Sequence, residues 1–203
     1  MPDKQLKSKF SKRFRGLLPV VVDIETSGLN PQTDALLEIA AVSLNTDKNN
    51  TIDIGDTYAY HIEPFVGARM DPESLAITGI DPGHPLRYAV PEQQVLHQLF
   101  SIVQELVEEN GCQRAVLVGH NAWFDLAFLQ AATKRCNLKS SPFHSFTSFD
   151  TATLAGVFLG ETVLAKAMKV AEIEFNAKEA HSAIYDAEKT AELFCYMINK
   201  LNS

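Results

Sequence analysis

The chain has 203 residues, 46% of them hydrophobic, which is enough for a sizeable buried core, and its formal net charge is −7. This negative charge argues against a protein that binds nucleic acid over its whole surface, and no apolar stretch approaches the ~18 residues of a membrane span. The 3 cysteines are widely spaced and form no CxxC pair, so we expect neither disulfides nor a zinc site, and a reducing cytoplasm is the simplest compartment.

The charge is unevenly distributed along the chain. Residues 1–16 form a basic N-terminal arm with a single acidic residue, Asp3, whereas the remainder is strongly acidic. A basic arm on an acidic body indicates that a polyanion is met locally, by one patch. A short charged terminus can equally be a solvated end of the chain, and both interpretations stay open at this point.

Apolar runs and turn residues predict the elements in chain order. Strands are expected at roughly 18–24, at 36–44 and at 57–64, with a polar hairpin connection over 45–56. A short helix closed by Gly79 and a long helix from Pro91 follow, and then a strand over 114–120, a helix over 122–136, a strand over 143–150, two helical stretches within 151–172 and a last helix over 182–200. Strands in a meander that later alternate with helices predict one α/β domain over 1–203, with a central mixed β-sheet flanked by helices.

The segment VVVDIETSGL places two carboxylates at the end of an apolar run. Asp23 and Glu25 are two residues apart, so on a strand their side chains point the same way. Two like charges ~4 Å apart repel by roughly 4 kcal/mol at an effective dielectric of 20. A buried strand accepts this pair only if positive charge compensates it.

Two further carboxylates lie where regular elements begin in apolar sequence. Asp125 falls in the first turns of a helix, where an acid often only compensates the helix dipole, and Asp186 lies in the last helix, close after His181. Hard oxygen ligands select Mg²⁺ or Mn²⁺ over zinc, and two such ions clamp the oxygens of an in-line displacement at phosphorus. A neutral His181 is suited to accept a proton there.

Three segments taken together, in order and at this spacing, resemble the signature of DEDDh-type 3′→5′ exonucleases. They are DIET at 23–26, HNAWFD at 120–125 and HSAIYD at 181–186. A histidine five residues before the last aspartate marks the h subclass. Within this superfamily, stretches such as TDALLEIAAV, EPFVGARMDPESLA and FDTATLAG are most similar to the bacterial ribonuclease T family. The resemblance covers nearly the whole chain and implies a ribonuclease H-like fold.

The resemblance also implies an activity and its residues. The metal ligands would be Asp23, Glu25, Asp125 and Asp186, with two Mg²⁺ ions or with Mn²⁺ as a substitute, and His181 would be the general base. The family trims single-stranded 3′ ends of tRNA, rRNA and other small stable RNAs, releases nucleoside 5′-monophosphates and also attacks single-stranded DNA.

Family members act as homodimers in which a basic patch on one subunit feeds the active site of the other. In this chain the patch would consist of Arg13, Arg15, Arg114 and Lys139. This gives the basic arm a role.

Four positions that are aromatic in the family stack on the terminal bases. Phe124 and Phe146 match, although their apolar neighbours alone would place them in the core, whereas the other two positions hold Leu29 and Ile77. Aliphatic side chains lack the π face that makes stacking worth ~1–3 kcal/mol per base, so an altered or weaker terminal-base preference is expected. Glu73 is the candidate for contact with the edge of the terminal base.

Several nearby residues have simpler structural interpretations. We expect Trp123 to pack in the interior, Asp150 to cap a helix N-terminus, Glu38 to pair with a basic group and His120 to anchor the end of a strand.

Two other functions remain open. A DNA polymerase proofreading subunit is another enzyme of the same superfamily, and comparing rates on single-stranded RNA and DNA would separate the two. A non-catalytic RNA-binding adaptor would bind without metal-dependent turnover, and the complete set of four carboxylates and the histidine argues against it.

Overall fold

The computed structural model describes residues 9–201, so residues 1–8 of the predicted basic arm lie outside the described residues. The strands are β1 (Leu17–Thr26), β2 (Leu36–Thr46), β3 (Ile52–Glu63), β4 (Val90–Pro91), β5 (Arg114–Gly119) and β6 (Phe143–Asp150). The helices are α1 (Lys9–Arg13), α2 (Pro72–Thr78), α3 (Glu92–Glu109), α4 (Trp123–Arg135), α5 (Thr151–Leu159), α6 (Leu164–Val170) and α7 (Ala183–Lys200), with a 3₁₀ turn at Pro85–Arg87.

The strands form one mixed sheet in the order β4-β3-β2-β1-β5-β6. The pairs β1–β2 and β2–β3 are antiparallel, whereas β1–β5, β5–β6 and β3–β4 are parallel. The mixed sheet flanked by helices is confirmed. The antiparallel meander of β1, β2 and β3 comes first in the chain. The later strands β4, β5 and β6 each follow a helix, because a parallel strand pair needs a crossover connection.

The predicted hairpin connection over 45–56 is wrong in its second half, because β3 already begins at Ile52. Ile52 is buried, and its backbone N–H and C=O both pair with the side-chain amide of Asn199 on α7, at 2.9 and 2.8 Å. The turn itself is short, since the Asp47 side chain accepts a hydrogen bond from the backbone N–H of Thr51 at 2.8 Å. The short elements α1 and β4 were not predicted.

The last helix, α7, packs against β1, β2 and β3. Its buried face carries the small side chains Ala183, Ala187 and Ala191, with the larger Phe194 toward its end. Small residues let the first turns of the helix lie close to the sheet, and this places Asp186 beside the end of β1. Over residues 9–201, no helix is both long and apolar enough to cross a membrane.

Candidate active site

The site is built at the carboxyl ends of the parallel strands. β1 pairs with β5 from Leu17–Arg114 to Val21–Val118 and then runs on, so Asp23 and Glu25 extend beyond this pairing, toward the start of α4. Ligand sites of open α/β sheets form at this edge, outside the carboxyl ends of the strands.

Asp125 reaches this edge from the first turn of α4 and is 5% exposed. Its carboxylate accepts a hydrogen bond from the backbone of Ile24, which ties α4 to β1, and another from its own backbone. The approach to β5 is close, because a Cβ added at Gly119 would lie 3.1 Å from Asp125 Oδ2. Burial raises the pKa of Asp125 well above its ordinary value in spite of these hydrogen bonds.

Asp186 and His181 come to the site from the first turn of α7 and from the loop before it. The backbone N–H of His181 donates to Asp186 Oδ2 at 2.9 Å, and His181 itself is exposed with a left-handed φ of 67°. Non-glycine residues in this conformation carry backbone strain, which clusters at functional sites. One ligand atom each of Glu25, His181 and Asp186 lie within 4.8 Å of one another.

The four carboxylates repel one another in a desolvated site. Burial raises the pKa of Asp23 well above its ordinary value, and the charges of Asp125, Glu25 and Asp186 raise it further. Burial also raises the pKa of Glu25 to about 8, with added contributions from Asp186 and from Glu38. Clustered, desolvated carboxylate oxygens are the donor set that hard divalent cations prefer, so these residues fit the predicted Mg²⁺ or Mn²⁺.

Two residues outside this carboxylate cluster hold the loop that leads into α4. Asp150 caps α5 by accepting from the backbone N–H of Thr153 at 2.9 Å, and the same carboxylate accepts from the backbone N–H groups of Asn121 and Ala122 at 2.8 and 3.2 Å. The ring nitrogens of His120 lie 3.0 Å from Thr151 Oγ1 and 2.8 Å from the carbonyl oxygen of Thr162. The predicted cap and strand-end anchor are therefore confirmed.

Glu38 lies directly across from Glu25 in the β1–β2 pairing and across from His61 in the β2–β3 pairing. Its Oε1 atom is 3.0 Å from His61 Nδ1. The expected pairing of Glu38 with a basic group is confirmed.

Three of the predicted base-contacting residues lie on two connected segments. Glu73 is in the first turn of α2, and Ile77 lies one turn later on the same face. The backbone N–H of Asp71, which caps α2, donates to the carbonyl of Ser27 at 2.8 Å and so joins α2 to the turn that bears Leu29. Leu29 is 78% exposed and Ile77 is 63% exposed.

The turn that bears Leu29 is fixed by a buried acid. Asp34 accepts from the backbone N–H of Asn30 at 2.9 Å and from the hydroxyl of Thr33 at 2.8 Å. A Cβ added at Gly28 would lie 2.0 Å from Asp34 Oδ2, so only glycine fits there.

The aromatic residues of the site are more exposed than their neighbours in the sequence suggest. Phe124 is half-buried against Phe128, with ring centroids 4.9 Å apart, and Phe146 is 82% exposed with its ring 4.5 Å from that of His144. A core position for Phe146 is wrong, whereas the family resemblance places it correctly at the surface.

The expectation that Trp123 packs in the interior is also wrong, because the side chain is 68% exposed. The buried residues of α4 include Asp125, Phe128 and Leu129, and the helical period puts Trp123 on the opposite face with the exposed Gln130. This spacing is visible in the sequence and would have identified the outward tryptophan.

The predicted basic residues line two adjoining clefts at the other end of the sheet. Arg13, Arg15 and Arg114 line one cleft, and Arg114 and Lys139 line the next. Arg15 precedes β1 and Arg114 begins β5, so both clefts are at the amino ends of the strands whose carboxyl ends carry the acids.

Known proteins resemble this chain over most of its length. The family model described as Exonuclease matches residues 20–194. The chain is 56% identical to ribonuclease T of Actinobacillus pleuropneumoniae over 189 residues, which cover 93% of this chain and 87% of that protein. It is 50% identical to ribonuclease T of Pectobacterium atrosepticum over 200 residues, which cover 98% of this chain and 90% of that protein.

The fold is shared with a more distant solved structure. The nuclease domain of 3′hExo, a DEDDh family member bound to rAMP, superimposes with a TM-score of 0.71 at 20% identity, covering 90% of this chain and 92% of that domain. The expected ribonuclease H-like fold is thereby confirmed. The chain is an exonuclease and belongs to the ribonuclease T family.

Proposed function

We propose that this exonuclease is a divalent-metal-dependent 3′→5′ exoribonuclease that trims single-stranded 3′ tails and releases nucleoside 5′-monophosphates. One observation carries the proposal. Four carboxylates from β1, α4 and α7 share a desolvated edge of the sheet, and the exposed His181 lies beside them. The names of the relatives support RNA as the substrate class, and the rAMP bound to 3′hExo is a nucleotide of the expected product type.

Asp23, Glu25, Asp125 and Asp186 would hold the metal, which we propose to be Mg²⁺, with Mn²⁺ as a substitute. When bound, such cations neutralise the acids and stabilise the charge that develops on a phosphodiester during in-line displacement. The pKa values of Asp23, Glu25, Asp125 and Asp186 are all raised, and this supports the assignment. The ionised form of each acid is disfavoured unless a cation is bound nearby.

His181 is the proposed general base. Its backbone is held by Asp186, and a ring nitrogen lies within 4.8 Å of carboxylate oxygens of Glu25 and Asp186. The ring is exposed, so it can meet an attacking water molecule at the rim of the site and take its proton.

The 3′-terminal nucleotides are proposed to lie across Phe124 and Phe146. Leu29 and Ile77 would add apolar contact, and the exposed carboxylate of Glu73 would accept hydrogen bonds from a base edge. Stacking tolerates every base, so this surface suits a trimming enzyme that meets many tail sequences.

The position of the basic clefts supports a homodimer. From Leu17, which pairs with Arg114, to Asp23 is about 20 Å along β1, at ~3.3 Å per residue. Within one subunit, the arginines and the acids therefore lie at opposite ends of the strand. A second subunit related by a two-fold axis, with its β1 running antiparallel, would bring its Arg13, Arg15, Arg114 and Lys139 toward this site, where they would bind the upstream RNA.

We further propose that tRNA, rRNA and other small stable RNAs are the substrates, that single-stranded DNA is also hydrolysed, and that the enzyme works in the cytoplasm. The support for the substrates is the ribonuclease T membership, and the support for the compartment is the scattered cysteine pattern.

The deciding experiment is digestion of a hairpin RNA with a single-stranded 3′ tail, with Mg²⁺ or with EDTA, and product lengths read on a gel. Shortening that needs metal and stops near the duplex is expected. Asp23→Asn and His181→Ala should each abolish it, whereas Glu109→Gln, an exposed acid at the end of α3, should not. Equal shortening in EDTA, or full activity of Asp23→Asn, would rule the mechanism out.

A further inference from the structure

Trp123 is an exposed aromatic residue beside the site for which the family pattern gives no role. It is the only tryptophan of the chain, it is the first residue of α4, and 68% of its surface is exposed. Asp125, two residues later, is almost fully buried. Trp123 is contiguous with the partly exposed Phe124, and an exposed apolar patch of this kind at the edge of a polar site marks a ligand-binding surface.

The helix fixes where the indole lies relative to the site. Successive residues are ~100° apart around an α-helix, so Phe124 lies between Trp123 and Asp125. The rings of Trp123 and Phe124 are in contact edge to face, with centroids 5.8 Å apart and planes at 86°. The two rings therefore form a continuous aromatic surface that begins near the carboxylates and extends away from them.

The contact also leaves the indole available to a ligand. An edge-to-face partner covers one edge or one face of a ring and leaves the remaining π surface open. The inner face of α4 is filled by other residues, among them Phe128, which packs on Phe124. Trp123 therefore adds little to the packing of α4.

We infer that Trp123 stacks on a base of the single-stranded tail, on the 5′ side of the terminal base held by Phe124. The inference rests on the proposed function and identifies a further specificity-determining residue of the same site. An indole offers the largest π face of any side chain, which offsets the missing aromatic rings at Leu29 and Ile77. More of the binding free energy then comes from the tail upstream of the terminal base and less from the terminal base itself, so the affinity for RNA depends on tail length.

Intrinsic fluorescence tests the contact directly, because every photon of tryptophan emission comes from Trp123. The His181→Ala protein, with Mg²⁺, would be titrated with single-stranded oligoadenylates of increasing length, and binding would be followed independently by the anisotropy of 5′-labelled RNA. Quenching that requires at least a dinucleotide, and that adenosine 5′-monophosphate does not produce, is expected. Binding detected by anisotropy with unchanged tryptophan emission would overturn the inference. A blue shift of the emission on raising the protein concentration without RNA would also overturn it, because it would show that Trp123 is buried between copies of the chain.

Kinetics of the active enzyme give a second test. Trp123→Ala should raise KM for a long-tailed RNA about tenfold, as loss of one stacking contact predicts, with the loss in KM rather than in kcat. Trp123→Phe should recover most of it, and Phe158→Ala, an exposed aromatic on α5, is the matched control. An unchanged KM for Trp123→Ala would overturn the inference while leaving the proposed function standing. Failure of the wild type to shorten RNA would instead overturn the proposed function, and the fluorescence titration would still decide the stacking.

Discussion

The carboxylate of Asp186 accepts a hydrogen bond from the backbone N–H of His181 at 2.9 Å, although Asp186 belongs to α7 and His181 to the loop before it. One side chain thus fixes the loop that carries the imidazole and also supplies negative charge to the proposed cation site. The two roles can be separated, because an asparagine keeps an oxygen that accepts the hydrogen bond but loses the charge.

Asp186→Asn should therefore inactivate the enzyme without unfolding it. We expect kcat to fall by roughly 100-fold or more, because the change removes a negative charge from the proposed metal site. The melting temperature in EDTA should stay the same or rise, since burial already disfavours the ionised form of this acid and raises its pKa. Asp186→Ala should lose activity and also lower the melting temperature. Equal melting temperatures for the two variants would contradict a structural role of the hydrogen bond.

The metal-free protein should lose stability as the pH rises. The pKa of Glu25 is about 8 in the folded chain and 4.5 as its ordinary value, so the folded state binds the proton more tightly than the unfolded state. Its contribution to the free energy of unfolding is fully present below about pH 4.5 and is lost as the pH rises through about 8. Melting temperatures measured in EDTA should fall across this window, and added Mg²⁺ should raise them most at the alkaline end.

Glu25→Gln is the control for this pH dependence. The amide does not titrate, so the slope of melting temperature against pH should flatten between about pH 4.5 and about pH 8. A slope identical to that of the wild type would show that other groups cause the pH dependence.

The basic clefts should govern binding of long RNA rather than chemistry. Arg15→Ala with Arg114→Ala should weaken binding and reduce the slope of log K against log salt concentration by roughly 1.4, which is about 0.7 for each lost phosphate contact on a single strand. Arg13 is left in place because its guanidinium donates to the carbonyl of Ile198 at 3.1 Å and so also supports α7. Anisotropy titrations at several salt concentrations measure the slope.

The matched control for the arginine pair is Lys166→Gln with Lys169→Gln, which removes two exposed charges on α6. The salt slope of this variant should equal that of the wild type. If both double variants changed the slope alike, the net charge of the protein would be responsible and the clefts would not.

Restoring aromatic rings near the terminal base should strengthen its binding. Leu29→Phe with Ile77→Phe places two rings on exposed positions of connected segments, and each gains a π face for stacking worth ~1–3 kcal/mol. We expect KM for short tails to fall at least about fivefold, with a stronger dependence on the identity of the terminal base. Val157→Phe, which adds an exposed ring on α5, should leave KM unchanged. A similar fall in KM with Val157→Phe would indicate nonspecific adhesion to RNA.

Much of this fold follows from local patterns in the sequence. The apolar runs of β1, β2 and β5 and the helical period of α3 and α7 specify both the type and the place of these elements. The early part of β3 was missed because Ile52 is surrounded by polar residues, and a partner 147 positions away, Asn199, satisfies its backbone. A pairing over this distance has no local signal.

Some features of the candidate site also follow from local sequence, whereas others depend on tertiary contacts. Asp23 and Glu25 can be predicted from two-residue alternation on an apolar strand, which makes a buried charge pair visible. The exposure of Phe146 could not be predicted from its own segment, because it depends on the irregular pairing of β5 with β6 near that residue. The link from Asp150 to Asn121 and Ala122 is likewise tertiary, since it joins segments 28 and 29 residues apart.

The position of Asp23 and Glu25 on a central strand, β1, has a thermodynamic consequence. β1 lies inside the sheet with a neighbour on each side, and segments of this kind exchange their amide hydrogens only when the whole domain opens. Local fraying of a surface element therefore leaves Asp23 and Glu25 in place. Ligands held by these two acids should therefore slow global unfolding and the proteolysis that follows it, rather than reduce only the local motion of a single loop.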